Sequence, residues 1–217
     1  MMRGMSTLKD APASANGGSA EGTHLVEGRE APFPGLPDES ASPDRGHVYD
    51  APIDVRARSP ADLAACVGVL RLVRVSDGYP AFWPANPERW IAPDWEHLAW
   101  VATDAQRAIC GHIALHRADG HAASQLWTEA TGRGPDSLAA VARLFVAPSG
   151  RRRGVGKALL DVATETAYAL GRHPVLDVGQ SNRAAVRLYD QVGWKRVGQL
   201  DMRQIPIFAY IAPLKPS

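Results

Sequence analysis

The sequence predicts an α/β fold of the α+β kind, in which helices cover both faces of a mixed central sheet. Short stretches with the alternation or apolar content of strands are separated by amphipathic stretches at helical spacing. The 217 residues, 45% hydrophobic and 22% charged, suffice for one well-packed domain with an extension. We therefore expect a folded domain at residues 51–217 and a separate N-terminal segment at residues 1–50.

Residues 1–50 have a different composition from the rest of the chain. The segment is rich in Ala, Ser, Gly, Pro and Asp and has almost no periodic apolar residues. Such a segment cannot bury enough surface to offset the entropy of ordering it. We predict a disordered extension, although a partner-binding arm or a start codon assigned too far upstream would have the same composition.

The first half of the predicted domain supplies strands and one helix. Residues 53–56 alternate in polarity, as a strand does. Ser59 and Pro60 provide a cap and a first-turn proline for a helix that runs to about Val75. Two strands follow at residues 98–103 and 109–116, joined by a polar, hairpin-like connection, and a looser stretch comes next at residues 120–136.

The second half begins with an apolar strand, residues 138–146, that stops at Pro148. Apolar residues at helical spacing predict a helix from Val155 to Leu170, and Gly171 is expected to close it. A buried parallel strand is expected at residues 175–179 and a helix at residues 183–192, ending at Gly193. Two closing strands are expected at residues 194–197 and 205–211.

Charge, hydropathy and cysteine spacing exclude several classes of protein. The net charge of +1 gives no global bias toward nucleic acid or membranes. No apolar run approaches the roughly twenty residues of a membrane helix, and the N-terminus lacks the apolar core of a secretory signal, so we expect a cytoplasmic protein. Cys66 and Cys110 lack metal or redox spacing and are predicted to be buried thiols. A nucleophilic role for either would need His112 close by.

The most informative stretch is Arg151-Arg152-Arg153-Gly154-Val155-Gly156-Lys157, between a strand and a helix. At such a junction several backbone N–H groups lack partners and point to one place near the positive end of the helix dipole. Glycines let phosphates approach these groups, and arginines add positive charge, so the residues predict a pyrophosphate site. The dinucleotide and Walker A fingerprints do not fit, whereas a solvated basic turn or a short nucleic-acid patch remains an alternative.

The Arg-x-x-Gly-x-Gly pattern at residues 151–156 resembles the signature of the GCN5-related N-acetyltransferase (GNAT) superfamily. The resemblance spans roughly residues 53–213 and continues through four further pieces, at 175–178, 182–185, 188–189 and 193–194. It implies the GNAT acyl-CoA N-acyltransferase fold. In that fold a splayed strand pair, here residues 138–146 and 175–179, holds the pantetheine arm of acetyl-CoA while the loop meets its pyrophosphate.

The resemblance also implies which residues bind acetyl-CoA. The backbone N–H of Val146 is expected to donate to the thioester carbonyl. Asn182 is expected to cap the last helix and to touch the pantetheine arm as well. The implied cofactor-binding residues are Leu144, Phe145, Val146, Arg151, Arg152, Arg153, Gly154, Val155, Gly156, Lys157, Ala158 and Asn182.

Tyr189 matches the tyrosine that acts as general acid in the family. A phenol with a pKa near 10 can protonate a leaving thiolate whose conjugate acid has a pKa of about 8.5 at little cost. Helical spacing also puts Tyr189 on one stripe with Leu188 and Val192, so a core tyrosine with its hydroxyl at the edge is the alternative.

The general base is where the sequence departs from the family. Many relatives carry a carboxylate on the splayed strand, whereas this chain has alanine at 139, 140 and 142, with Arg143 as the charged residue. Neutralising an amine of pKa near 10.4 at pH 7 costs roughly 4 to 5 kcal/mol, so a base, a water chain or a desolvated pocket must help. His112 and His116 lie on one face of a strand and are candidates, although surface or structural histidines are the simpler interpretation.

An aromatic segment between the first helix and the second strand is expected to line part of the acceptor pocket. Residues 79–84 with Trp90, Trp95 and Trp100 could hold a small cationic or aromatic amine by cation–π contact. Four acidic residues could add negative charge: Asp77, Glu88, Asp94 and Glu96. Packing of the tryptophans on a proline-rich loop is an equally good interpretation.

The predicted function is transfer of an acetyl group from acetyl-CoA to a primary amine, in a small molecule or a protein, by direct attack in a ternary complex. We expect no metal, nucleic-acid or membrane partner. The sequence leaves open the identity of the amine and whether the chain forms a homodimer. The alternative function is a non-catalytic acyl-CoA-binding sensor or partner-docking module of the same fold.

Overall fold

A computed structural model describes residues 53–214, so the extension predicted at residues 1–50 lies outside the described residues. Seven strands form one sheet there: β1 (Asp54–Ala57), β2 (Glu96–Thr103), β3 (Ile109–Arg117), β4 (Leu138–Val146), β5 (His173–Gly179), β6 (Lys195–Met202) and β7 (Ile205–Ile211). The α-helices are α1 (Leu63–Asp77), α2 (Pro87–Ile91), α3 (Ser124–Thr131), α4 (Val155–Ala169) and α5 (Arg183–Gln191). Within residues 53–214 no helix is long and apolar enough to cross a bilayer.

The sheet has the strand order β1-β2-β3-β4-β5-β7-β6. Neighbouring strands run antiparallel, except that β4 and β5 run parallel. Helix α4 makes the crossover that a parallel pair requires. The predicted mixed sheet with intervening helices is confirmed.

Two glycines show that helices approach the sheet from opposite sides. At Gly111 on β3, a Cβ atom would come within 2.9 Å of the side chains of Val155 and Leu159 on α4. At Gly198 on β6, a Cβ atom would come within 2.9 Å of Leu126 on α3. The register through β4, β5 and β7 puts Gly198 on the face opposite to Gly111. Helices α3 and α4 therefore cover different faces, as predicted.

Hydrogen bonds and an ion pair to the Asp62 carboxylate fix the segment before α1. The backbone N–H and the hydroxyl of Ser59 both donate to the Asp62 carboxylate, at 2.7 and 2.9 Å. Arg56 binds the same carboxylate with two nitrogens, at 2.7 and 2.8 Å. These contacts hold the pKa of Asp62 well below its usual range. The predicted cap is thus present, with Asp62 accepting instead of Ser59.

The stretch at 120–136, predicted to be a looser connection, contains α3, and the short helix α2 was not predicted either. Helix α3 has eight residues, and its fully buried side chain is Trp127. So short a segment shows little helical periodicity. Its helix is explained by Trp127, which packs in a small apolar cluster with Leu138, Ala140 and Val175.

Both cysteines are buried and free, as predicted. Burial raises the pKa of the Cys66 thiol to about 11 and also raises the pKa of Cys110. A thiol that stays protonated near neutral pH is a poor nucleophile. This environment argues against an acyl-enzyme on either cysteine.

Candidate active site

Strands β4 and β5 separate soon after they begin. They pair only through residues 138–140 and 173–175. Beyond these pairs β4 continues to Val146 and β5 to Gly179. The facing edges there have no strand neighbour, which leaves peptide groups free along a gap. The splayed strand pair that the resemblance implies is confirmed.

A β-bulge lies where β4 leaves β5. Between Ala142 and Phe145, β4 has one residue more than the facing part of β3. Arg143, inside the bulge, has a φ of 55°, in the left-handed region that non-glycine residues rarely adopt. His112 Nδ1 lies 3.0 Å from the carbonyl oxygen of Arg143, and its ring stacks on Phe145. Because a carbonyl only accepts, Nδ1 donates, and His112 holds the bulge in place.

The backbone of Val146 faces the gap. Its neighbour Ala147 donates its N–H to the carbonyl of Cys110 on β3, at 2.8 Å. Successive N–H groups of a strand point to opposite edges. The N–H of Val146 therefore points away from β3, toward the side from which β5 has departed.

The glycine-rich loop ends beside this gap. Gly154 has a φ of 78°, and no side chain caps the helix that starts at Val155. The N–H of Ala158 bonds to the carbonyl of Gly154, so the three preceding N–H groups have no acceptor within the helix. A Cβ on Gly156 would lie 3.7 Å from Val146 and 3.5 Å from Leu188. The start of α4 thus lies close to the end of β4, with free N–H groups and a positive dipole end.

Basic side chains near this loop form ion pairs. Arg151 Nη2 donates to the hydroxyl of Ser76 and to the carboxylate of Asp77 at the end of α1, both at 2.7 Å. Lys157 pairs with a carboxylate one turn along α4. Arg152 is exposed and Arg153 half-buried. Exposed pairs of this kind are weak and can exchange for another anion.

Asn182 is the N-cap of α5, and Tyr189 lies within that helix. The Asn182 side-chain oxygen accepts from the N–H of Ala185 at 3.2 Å, which makes it an N-cap. Tyr189 is buried, with ring centroids 6.0 Å from Trp194 and 5.9 Å from Tyr210. Burial raises the pKa of Tyr189 well above its ordinary value. Roles for both residues toward acetyl-CoA remain predictions.

Comparison with known proteins decides the family. A sequence model of the acetyltransferase (GNAT) family matches residues 71–194, more than half of the chain. The chain belongs to the GNAT acetyltransferase family. No curated protein matches its sequence.

Solved structures have the GNAT fold in common with this chain. A GCN5-related N-acetyltransferase from Kribbella flavida gives a TM-score of 0.58 at 19% identity, covering 75% of this chain and 98% of that chain. Arabidopsis thaliana NAA60 in complex with acetyl-CoA gives a TM-score of 0.57 at 19% identity, covering 74% of this chain and 97% of that chain. The ribosomal-protein-S18-alanine N-acetyltransferase from Escherichia coli gives a TM-score of 0.54 at 16% identity, covering 76% of this chain and 96% of that chain. At these identities the similarity shows the fold alone.

In the aromatic segment of this GNAT chain, an arginine of the chain itself forms a cation–π contact with a tryptophan. The guanidinium of Arg143 lies 3.7 Å over the ring of Trp90, and its Nε donates to the Trp90 carbonyl at 2.9 Å. Tyr79 meets the same tryptophan edge-on at 5.9 Å. Trp83 and Trp95 are exposed. Because Arg143 covers one face of Trp90, that face is unavailable to the ammonium of a substrate.

Most of the carboxylates predicted for the acceptor pocket are neutralised by arginines. Asp77 pairs with Arg151, Asp94 with Arg89 and Glu96 with Arg58. Glu88 is exposed.

The two predicted base candidates are buried. Burial lowers the pKa of His112 to about 3 and that of His116 to about 3, and the charge of Arg143 acts in the same direction. Such imidazoles stay neutral and accept the proton of an amine poorly. The structural interpretation therefore fits both histidines better.

Sequence reasoning missed a pair of residues, Asp177 on β5 at the gap and His121 in the loop before α3. Asp177 lies two residues beyond Val175, the last β5 residue that pairs with β4. His121 Nδ1 lies 3.3 Å from its Oδ1. The family resemblance implies a carboxylate on β4, whereas this chain has one on the opposite strand, β5. The available signal was a single acidic residue within the apolar run at 173–179.

Proposed function

We propose that this chain is an acetyl-CoA-dependent N-acetyltransferase that passes the acetyl group to a primary amine by direct attack in a ternary complex. The observation that carries the proposal is the gap between β4 and β5 that leads directly to the uncapped start of α4. A long ligand with a peptide-like arm and a pyrophosphate matches both parts. The family and the acetyl-CoA complex of the similar NAA60 structure support the choice of donor.

The residues around the gap fit acetyl-CoA in two places. The free N–H of Val146 can donate to the thioester oxygen, where negative charge develops as the amine attacks. The N–H groups at residues 155–157 can bind the pyrophosphate, with Arg151, Arg152 and Arg153 nearby. Arg151 must exchange Asp77 for phosphate to take part.

Tyr189 is proposed as the acid that protonates the departing sulfur. An ordinary phenol already lies about 1.5 pKa units above a thiol, an uphill transfer of about 2 kcal/mol. Burial raises the pKa of Tyr189 further, so the hydroxyl stays protonated and serves first as a hydrogen-bond donor to sulfur.

The acceptor is a primary amine of a small molecule or of a protein. Similar structures include the S18-alanine N-acetyltransferase and a putative phosphinothricin N-acetyltransferase, so the fold occurs with both kinds of acceptor. The raised pKa of Tyr189, together with the lack of a carboxylate on β4, favours one alternative, a non-catalytic acyl-CoA sensor.

Thiol release from acetyl-CoA with a panel of amines tests the proposal, with Tyr189→Phe as the variant and calorimetry for cofactor binding. We expect turnover of at least one amine, and a loss of at least about tenfold in Tyr189→Phe with acetyl-CoA affinity unchanged. Tight binding without turnover of any amine would support the sensor. Absence of acetyl-CoA binding would refute the whole cofactor site.

A further inference from the structure

The carboxylate of Asp177 occupies a distinctive place at the gap. It lies on β5 just where β4 has departed, and its side chain is 26% exposed. Among residues 53–214 no lysine or arginine forms a salt bridge with it, unlike Asp77, Asp94 and Glu96. Asp177 is therefore a partly accessible carboxylate that can still receive a cation.

The charge of Asp177 acts on two aromatic hydroxyls of the site. Burial raises the pKa of both Tyr79 and Tyr189, and the negative charge of Asp177 adds to the shift. Tyr189 is the proposed acid on α5, and Tyr79 lies between α1 and α2. The carboxylate thus lies on β5, across the gap from the bulge in β4.

His121 completes a pair with this carboxylate. Its Nδ1 lies 3.3 Å from Asp177 Oδ1, and its ring packs at 5.5 Å from Trp127 on α3 and 6.1 Å from His116 on β3. Asp119, two residues earlier in the same loop, is paired with Arg117. A carboxylate accepts, so Nδ1–H donates and Nε2 has a free lone pair. The side chain is 20% exposed, in contrast with the buried His112 and His116.

We propose that the negative charge of Asp177 attracts the ammonium group of the acceptor to this part of the gap and that His121 accepts its proton at Nε2. This inference rests on the proposed N-acetyltransferase function and supplies the base that β4 lacks. Imidazole suits the task better than a carboxylate, because the pKa of an alkylammonium exceeds that of imidazolium by about 4 and that of a carboxylic acid by about 6.5. The pair replaces the solvent that would otherwise stabilise the ammonium.

The proton and electron movements balance. His121 Nε2 takes one proton from the ammonium and later releases it to solvent. The free lone pair of the amine forms the C–N bond as the carbonyl π pair moves to oxygen. When that pair returns, the C–S bond breaks and its electrons leave with sulfur. Sulfur takes a proton from Tyr189, which regains one from the nitrogen of the new amide.

The test uses Asp177→Asn and His121→Gln in the full chain, with exposed Asp201→Asn and His97→Gln as matched controls. We expect about a 100-fold loss of kcat/KM in both site variants, with unchanged acetyl-CoA affinity and unchanged controls. Asp177→Asn should also raise KM for the amine, because the electrostatic attraction of the ammonium is lost. His121→Gln should lower kcat with little change in KM for the amine, a split that a purely structural role would not produce.

Three outcomes decide the inference. Losses confined to melting temperature, with kcat/KM per folded molecule unchanged, would overturn it while the N-acetyltransferase function stands. Site variants as active as the controls would do the same. A wild type that binds acetyl-CoA and acetylates no amine would overturn the function and the inference together.

Discussion

Arg151 of the glycine-rich loop is joined to Asp77 at the end of α1, with Nη2 2.7 Å from the carboxylate oxygen. Both side chains are more than a third exposed, so the pair contributes less than about 1 kcal/mol. The contact nevertheless occupies the arginine that the proposed site offers to phosphate. Asp77 is thus a competitor of the ligand for Arg151.

Substitutions of this pair should change acetyl-CoA affinity in different directions. Arg151→Gln is expected to weaken binding about tenfold, because one charge-assisted contact to phosphate is lost. Asp77→Asn releases Arg151 and is expected to bind acetyl-CoA as tightly as wild type or tighter. Calorimetry at low and high salt measures both. Equal weakening in the two variants would mean instead that the pair is needed to position the loop.

Gly156→Ala should separate ligand binding from folding. A Cβ there meets Leu188 and Val146 at ordinary contact distances, so the melting temperature is expected to stay close to that of wild type. Acetyl-CoA affinity should fall about tenfold, since the methyl group keeps phosphate from the free N–H groups.

Gly111→Ala provides the comparison for that variant. Its Cβ would approach Val155 and Leu159 to 2.9 Å, an overpacking that costs about 1–3 kcal/mol. It should lose stability before it loses affinity. If Gly156→Ala binds acetyl-CoA normally, the phosphates do not approach the helix at that residue.

The buried histidines predict a loss of stability in acid. The pKa of His112 and of His116 falls from 6.5 in the unfolded chain to about 3 in the folded protein. Between these values the unfolded state binds more protons, so the free energy of unfolding decreases as pH falls from 6.5 toward 3. The slope is at most about 1.4 kcal/mol per pH unit for each histidine.

His116→Asn should flatten that slope, and denaturant unfolding at several pH values between about 5 and 7 measures it. The readout is the slope, because the variant can also lower stability at neutral pH by disturbing the packing. A wild-type stability independent of pH over this range would show that the imidazoles are accessible to protons.

Arg143→Lys should disturb the acceptor side of the site while sparing cofactor binding. Lysine cannot reproduce the planar contact with Trp90 or the Nε–H donation to its carbonyl. We expect a loss of about 1 kcal/mol in stability and a higher KM for the amine. Arg71→Lys, whose guanidinium lies 5.6 Å over the exposed Trp83, is the control and should be nearly neutral. An unchanged KM would place the acceptor elsewhere.

The predictable part of the site is the part built from neighbours in sequence. The glycine at 154, the strand before it and the helix after it lie within a short segment, so local propensity and pattern define the geometry that is proposed to bind phosphate. The same holds for Asn182, whose capping contact reaches only to Ala185. The helices α2 and α3 escaped prediction because each is too short to show a period.

Contacts between distant segments could not be predicted in this way. Asp177 and His121 are 56 residues apart, and Arg143 and Trp90 are 53 apart. Each pair joins a residue of β4 or β5 to a segment that only the folding of the chain brings to that strand. The arginine partners of three acidic residues expected in the acceptor pocket were not foreseen.

The sequence by itself determined the mixed α/β fold and the glycine-rich junction, because hydrophobic periodicity and backbone conformational preferences act over a few residues. Only the tertiary structure decided which polar groups are left available at the gap. Burial fixed His112 and His116 as neutral, and arginines neutralised Asp77 and Glu96. Asp177 remained accessible because β4 bends away from β5, and such solvation depends on packing that no local pattern encodes.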